Sequence, residues 1–136
     1  KSIPYKVKKA EKEKLKILIA EDNESNYKLF YSILRNNYEI IHAWDGEEAV
    51  ELFKKHSPHL ILMDINMPKM NGYEAAEKIK EIAPAIPIIA VTAYAYADDE
   101  QNILNSGFDA YTSKPINAQK LNTQIIDLLK KRLIFI

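Results

Sequence analysis

Four short apolar runs in this chain each lead into residues able to do chemistry: Glu21-Asp22 after KILIA, Asp64 after LILM, Thr92 after IIAV and Lys114 after DAYTS. Gathered in one place, three carboxylates, a hydroxyl and an ammonium would suit a divalent cation and a phosphoryl group. Two carboxylates ~4 Å apart repel by roughly 4 kcal/mol at an effective dielectric of ~20. Such a cluster must bind a cation, take up a proton or be paired. Oxygen-only donors favour Mg²⁺ or Mn²⁺ and leave positions for water and a phosphate oxygen. Lys114 adds positive charge, while Thr92 and the small Ala93 after it offer a hydroxyl and an approachable backbone N–H to phosphoryl oxygens. A carboxylate so placed can itself be the nucleophile and form an acyl phosphate. Each residue also has a plainer reading when taken singly. Glu21-Asp22 could cap a helix, Asp64 could sit in a turn before Pro68, Thr92 could be a cap and Lys114 a surface charge. Joint placement at strand ends is what outweighs these readings.

The elements that would bring them together alternate along the chain. KILIA, YEIIHA at 38–43, HLILM at 59–63, PIIAV at 87–91 and DAYT at 109–112 read as strands. They are mostly continuous apolar runs, as expected of strands covered on both faces. Tyr27, Phe30, Tyr31 and Leu34 recur at helical spacing, and Asp45 with Glu48 forms a capping box opening a second helix. Further helices are expected over 72–82, stopped by Pro84, from Asp98 to Gly107, and after the cap Asn117. Five βα units in succession imply a doubly wound parallel sheet. Ligands of such sheets bind beyond the carboxyl ends of the strands, where the polar residues fall.

Composition sets the outer bounds. The 136 residues suit one domain, and 19 basic against 19 acidic side chains give no bulk charge pointing to nucleic acid or anionic lipid. With no cysteine there is no disulfide framework or thiolate site. Apolar runs of four or five residues are too short for a membrane span, no signal peptide opens the chain, and a cytoplasmic setting is expected. A first residue of Lys1 rather than Met is expected of a piece cut from a longer polypeptide. Residues 1–14 carry six lysines and read as a solvated linker or arm, 15–132 as the domain, and 133–136 as an apolar tail.

The stretches ILIAEDN, LILMDINMPKMNG, IIAVTAYA and DAYTSKPI resemble the receiver domain of two-component response regulators over about Lys16 to Lys131. The spelling EDNESN and VTAYAYADDE is most similar to receivers of hybrid sensor histidine kinases. The resemblance implies a flavodoxin-like (βα)5 fold with a five-stranded parallel sheet in the order 2-1-3-4-5. It implies that Asp64 accepts a phosphoryl group from a phosphohistidine on a kinase domain or histidine phosphotransfer protein. Mg²⁺, replaceable by Mn²⁺, would be bound by Asp22, Asp64 and the backbone carbonyl of Asn66, with Glu21 acting through water. Lys114, before a cis Pro115, would contact the phosphoryl group together with Thr92, Ala93 and Asn66. Thr92 and Tyr111 would form a switch pair: the added charge draws Thr92, Tyr111 turns into the vacated space, and the surface around the fourth and fifth helices changes. Asn71 stands before Gly72 where the family often has aspartate, a difference of little chemical weight, and Tyr94 is expected to modulate water access.

The expected product is a signalling module, not an enzyme in isolation, acting as a monomer or weak dimer with no nucleic-acid or membrane contact. Its parent would be a hybrid kinase; the alternative is a stand-alone regulator. An aspartate-nucleophile phosphatase would want a D-x-D arrangement after the first strand, and EDN stands there instead. A flavin module would cradle phosphate in its first loop, where Glu21 and Asp22 would repel it. A receiver-like module that is never phosphorylated is opposed by the complete acid set. His42, His56 and His59 are expected to be structural or solvated, Asp98-Asp99-Glu100 to serve a first helical turn, and Trp44 to pack at the rim.

Overall fold

The computed structural model describes residues 14–93 and 97–134. Side chains of 97–99 and 132–134 lie outside that description, as do Tyr94, the arm before Lys14 and the last two residues. Five strands form one parallel sheet: β1 Lys16–Ala20, β2 Glu39–Ala43, β3 Leu60–Asp64, β4 Ile88–Thr92 and β5 Ala110–Ser113. Their order is β2-β1-β3-β4-β5, the flavodoxin-like arrangement expected of the (βα)5 chain. Every β-to-β connection carries a helix: α1 Glu24–Leu34, α2 Gly46–His56, α3 Gly72–Ile82 and α4 Ala97–Asn105, with α5 Ala118–Ile134 closing the chain. The last helix continues through Leu133 and Ile134, into the segment expected as a tail.

Strands β3, β4 and β5 each begin and end one residue later than their patterns indicate. Proline has no N–H, so Pro87 contributes only its carbonyl, to Ile61 N, and stands just outside β4. At the other end the ladder carries on through Ile65 N to Val91 O and Lys114 N to Thr92 O. Asp64 and Thr92 are therefore held as the final residues of strands.

Alternation along each strand sends neighbours to opposite faces. Leu18, Ile61, Met63, Ile88 and Ala90 join residues of α2, α3 and α4, including Phe53, Ile79 and Ile103, in one buried cluster. Ile17, Ile19, Leu62, Ile89 and Val91 join Phe30 and Leu34 of α1 with Leu121, Ile125 and Leu129 of α5 in the other. Burial on both faces explains why the strand sequences show no polar alternation.

Side-chain caps set the helix starts. Asn23 Oδ1 accepts from Asn26 N at 2.9 Å and opens α1. Glu21 and Asp22 are thereby spared the capping role that their position also allowed. Asp45 Oδ1 accepts from Glu48 N at 2.9 Å, while Glu48 Oε1 accepts from Trp44 N at 3.0 Å, one residue outside a regular capping box. Asn71 caps α3 through Glu74 N and Asn117 caps α5 through Lys120 N. Asparagine caps as well as aspartate, so Asn71 before Gly72 leaves the helix start intact. Among the described residues no helix is long and apolar enough to cross a membrane.

Candidate functional site

The carboxyl edge of the sheet gathers the acids. Glu21 follows β1 and extends its ladder, its N–H donating to Ala43 O at 3.0 Å. Asp22 is the next residue, and Asp64 ends the adjacent strand β3. Carboxylate oxygens of Glu21, Asp22 and Asp64 all lie within 4.8 Å of one another, the first and last buried and Asp22 exposed. Lys114, just past β5, reaches across β4 to place its Nζ 3.2 Å from Asp64 Oδ2 and 3.4 Å from Glu21 Oε1. Its peptide bond to Pro115 is cis, as the resemblance implies.

Each carboxylate has a distinct set of partners. Asp64 Oδ1 accepts from Asn66 N at 2.9 Å and Oδ2 from the Lys114 ammonium, so both oxygens are oriented. Glu21 Oε2 accepts from Asn23 N at 3.1 Å. Glu21 Oε1 lies within ion-pair range of Lys114, yet outside hydrogen-bond geometry, and is a buried oxygen with no donor. One ammonium cannot neutralise three carboxylates. Burial, and then the Asp64 charge, push the Glu21 carboxyl up to about 7. Burial also disfavours the Lys114 ammonium, but the charges of Asp64 and Glu21 outweigh it and hold that pKa above its usual value. The surplus negative charge, the orphaned buried oxygen and one exposed carboxylate fit a small hard dication entering from solvent.

Thr92 closes β4 opposite Ser113 of β5, with the exposed Ala93 next. Tyr111 stands two residues before Ser113, so Thr92 and Tyr111 share one face of the sheet. The Tyr111 hydroxyl donates to Glu100 of α4, and its carbonyl accepts from Gln124 Nε2 of α5 at 2.8 Å. Nothing in the spacing of Tyr111, Glu100 and Gln124 announces that link. Asn66 is exposed beside Asp64, and its N–H donates to Asp64 Oδ1.

Two glycines allow the loop after β3 to run where it does. A Cβ on Gly72 would lie 2.5 Å from Asp64 O and 2.6 Å from Ile65 Cα. A Cβ on Gly46 would lie 2.1 Å from Met70 O. The starts of α2 and α3 thus press directly on the loop beyond Asp64, and Lys69 within it adopts a left-handed φ of 65° while pairing with Asp45 at 3.6 Å. The chain has only three glycines, which was the available signal for such close approaches.

Two of the three histidines make structural contacts. His59 Nδ1 accepts from Lys16 N at 2.9 Å, and His42 Nε2 bonds the Glu21 carbonyl at 2.9 Å. Trp44, 47% exposed, lies against His42 with ring centroids 4.2 Å apart, at the rim as expected. Of the acidic run at the start of α4, Glu100 is occupied by Tyr111.

Comparison with known proteins agrees with this geometry. Residues 17–126 match the response regulator receiver domain family. The polar-differentiation response regulator DivK of Brucella ovis is 44% identical over 107 residues, covering 76% of this chain and 87% of its own. The receiver domain of a sensor histidine kinase from Pseudomonas aeruginosa, whose structure has a magnesium ion coordinated in the active site cleft, superposes with a TM-score of 0.79 at 32% identity, covering 86% of this chain and 98% of that one. A receiver domain from Saccharomyces cerevisiae, solved with the histidine phosphotransfer signalling protein upstream of it, gives a TM-score of 0.81 at 31% identity over 88% of this chain and 91% of that one. The chain belongs to the response regulator receiver domain family, and its place is in two-component signalling.

Proposed function

We propose that Asp64 is the phosphoacceptor of this receiver, taking a phosphoryl group from a phosphohistidine on a kinase domain or a histidine phosphotransfer protein. The observation that carries this reading is the placement of Lys114 Nζ 3.2 Å from Asp64 Oδ2 inside a cluster of three carboxylates within 4.8 Å. A carboxylate oxygen of Asp64 forms the new P–O bond as the P–N bond to the donor imidazole breaks, and the electron pair stays on that nitrogen. The Asn66 N–H and the Lys114 ammonium aim the nucleophile. Mg²⁺, or Mn²⁺ in its place, held by Asp22, Asp64, the Asn66 carbonyl and Glu21 through water, would neutralise charge on the transferring oxygens. Thr92 and the Ala93 N–H receive those oxygens, and Thr92 with Tyr111 relays the change toward α4 and α5. The isolated domain is a phosphoacceptor that loses its group by hydrolysis, with no turnover of an outside substrate.

The magnesium-bearing relative and the phosphotransfer complex named above support the cofactor and the class of partner. As for setting, a receiver within a hybrid histidine kinase of cytoplasmic disposition fits the likeness to the kinase receiver. The DivK likeness favours the second reading, a stand-alone regulator. An immunoblot of the native host protein, raised against residues 16–134, separates a kinase-sized chain from a small one.

The phosphoacceptor assignment is tested with Mg²⁺ and acetyl phosphate. Intact-mass analysis is expected to show one labile phosphoryl adduct on the wild type and none on Asp64→Asn or in excess EDTA. An adduct that persists on Asp64→Asn would overturn the assignment.

A further inference from the structure

Glu21 and Asp22 are joined by one peptide group, and both sides of Glu21 are held by β2. Its N–H donates to Ala43 O at 3.0 Å, and its carbonyl lies 2.9 Å from His42 Nε2. A carbonyl can only accept, so Nε2 must carry the proton. The imidazole is itself fixed from both sides. It stacks on Tyr27 of α1, centroids 3.6 Å apart and planes at 2°, and meets Trp44 at 4.2 Å and 45°. His42 therefore ties the carbonyl that precedes Asp22 to a ring on the helix that follows Asp22. The turn carrying the exposed carboxylate is closed at both ends by one side chain.

We propose that His42 is a positioning residue for the cation site: its Nε2–H bond to the Glu21 carbonyl sets the plane of the Glu21–Asp22 peptide and hence the direction in which the Asp22 carboxylate faces Asp64. The proposal rests on the reading of Glu21, Asp22 and Asp64 as cation ligands. A free carbonyl could rotate that peptide and swing Asp22 toward solvent, where it is already exposed. Groups that orient ligands in this way typically influence metal affinity by tenfold or more.

The test is Mn²⁺ binding followed by the electron paramagnetic resonance of the free ion, with no phosphodonor present. His42→Phe keeps a flat ring between Tyr27 and Trp44 but has no donor, and its Kd for Mn²⁺ is expected to rise roughly tenfold. His42→Gln carries an amide N–H at similar reach, and its Kd is expected to stay within about twofold of wild type. Equal affinity for His42→Phe and wild type would overturn the proposal. So would equal losses in the Phe and Gln variants, which would show that an N–H donor at that reach does not restore the site. Nitrogen-15 NMR of the wild-type imidazole gives a check that needs no variant: the Nε2–H form is expected, and a neutral ring protonated only at Nδ1 would contradict it. Asp22→Ala serves as the control for the underlying reading. Mn²⁺ binding unchanged in that variant would remove the cation site itself, a failure distinct from an indifferent His42.

Discussion

Among the described residues, Glu21 has the carboxyl pushed furthest from its ordinary range. Its carboxyl rises from 4.5 to about 7, through burial first and the neighbouring Asp64 charge second. A raised carboxyl pKa means the folded state keeps the proton longer than the unfolded chain does. For this group the metal-free protein is therefore most stable below pH 4.5, and that stability is lost as the pH rises from there through about 7. Lys114 leaves that window undisturbed, since its raised pKa keeps its contribution complete below 10.5. The unfolding midpoint in EDTA is expected to drop between about pH 5 and pH 8, to recover with Mg²⁺, and to lose most of its slope in Glu21→Gln. A midpoint that climbs over that interval in EDTA would refute the account. The surplus of negative charge was legible in the residue types alone, because three acids against one lysine cannot balance. That Glu21, not Asp64, has the oxygen without a donor was not legible, since it depends on the angle at which Lys114 crosses β4.

At the scale of elements, strands were readable from apolar runs and helix starts from caps such as Asp45 and Asn117. The shift of β3, β4 and β5 by one residue was not, because the ladder continues past the apolar run into Asp64, Thr92 and Ser113. A pattern of hydrophobicity stops where side chains turn polar; backbone pairing does not. The path of the loop after Asp64 was equally hidden, being shaped by the starts of α2 and α3 pressing on it. Gly72→Ala forces its new carbon toward Asp64 O, at 2.5 Å, and backbone there has little room to give. We expect it to destabilise the fold by about 2–3 kcal/mol in urea titration. It should also slow phosphorylation of Asp64 by acetyl phosphate, since the acceptor's own carbonyl is displaced. A variant as stable and as fast as wild type would show that the loop yields freely.

For the molecule as a whole, consecutive residues of the central strand serve different cores, Leu62 with α1 and α5, Met63 with α2, α3 and α4. Leu62→Ala is expected to cost about 2–5 kcal/mol. Because the adjacent Met63 supports the other face, the denaturant slope should stay unchanged and the unfolding remain a single transition. Two separated transitions would mean the faces melt independently. Alternation of strands with helices made the doubly wound class legible. Strand order came from likeness to a family, since nothing in five similar apolar runs ranks them across a sheet.

Strand β5 is bounded by two quite different anchorages. Before it, Asp109 Oδ2 takes both the Lys80 ammonium at 2.9 Å and the Ile88 N–H at 2.8 Å, while Lys80 also reaches Ile86 O. After it, Lys114 rests on carboxylates whose charge changes with every cation or proton that arrives. The strand is thus moored at its root and responsive at its tip. A change of charge at those carboxylates therefore enters β5 at Lys114, while Asp109 keeps the strand's start tied to Lys80 and Ile88.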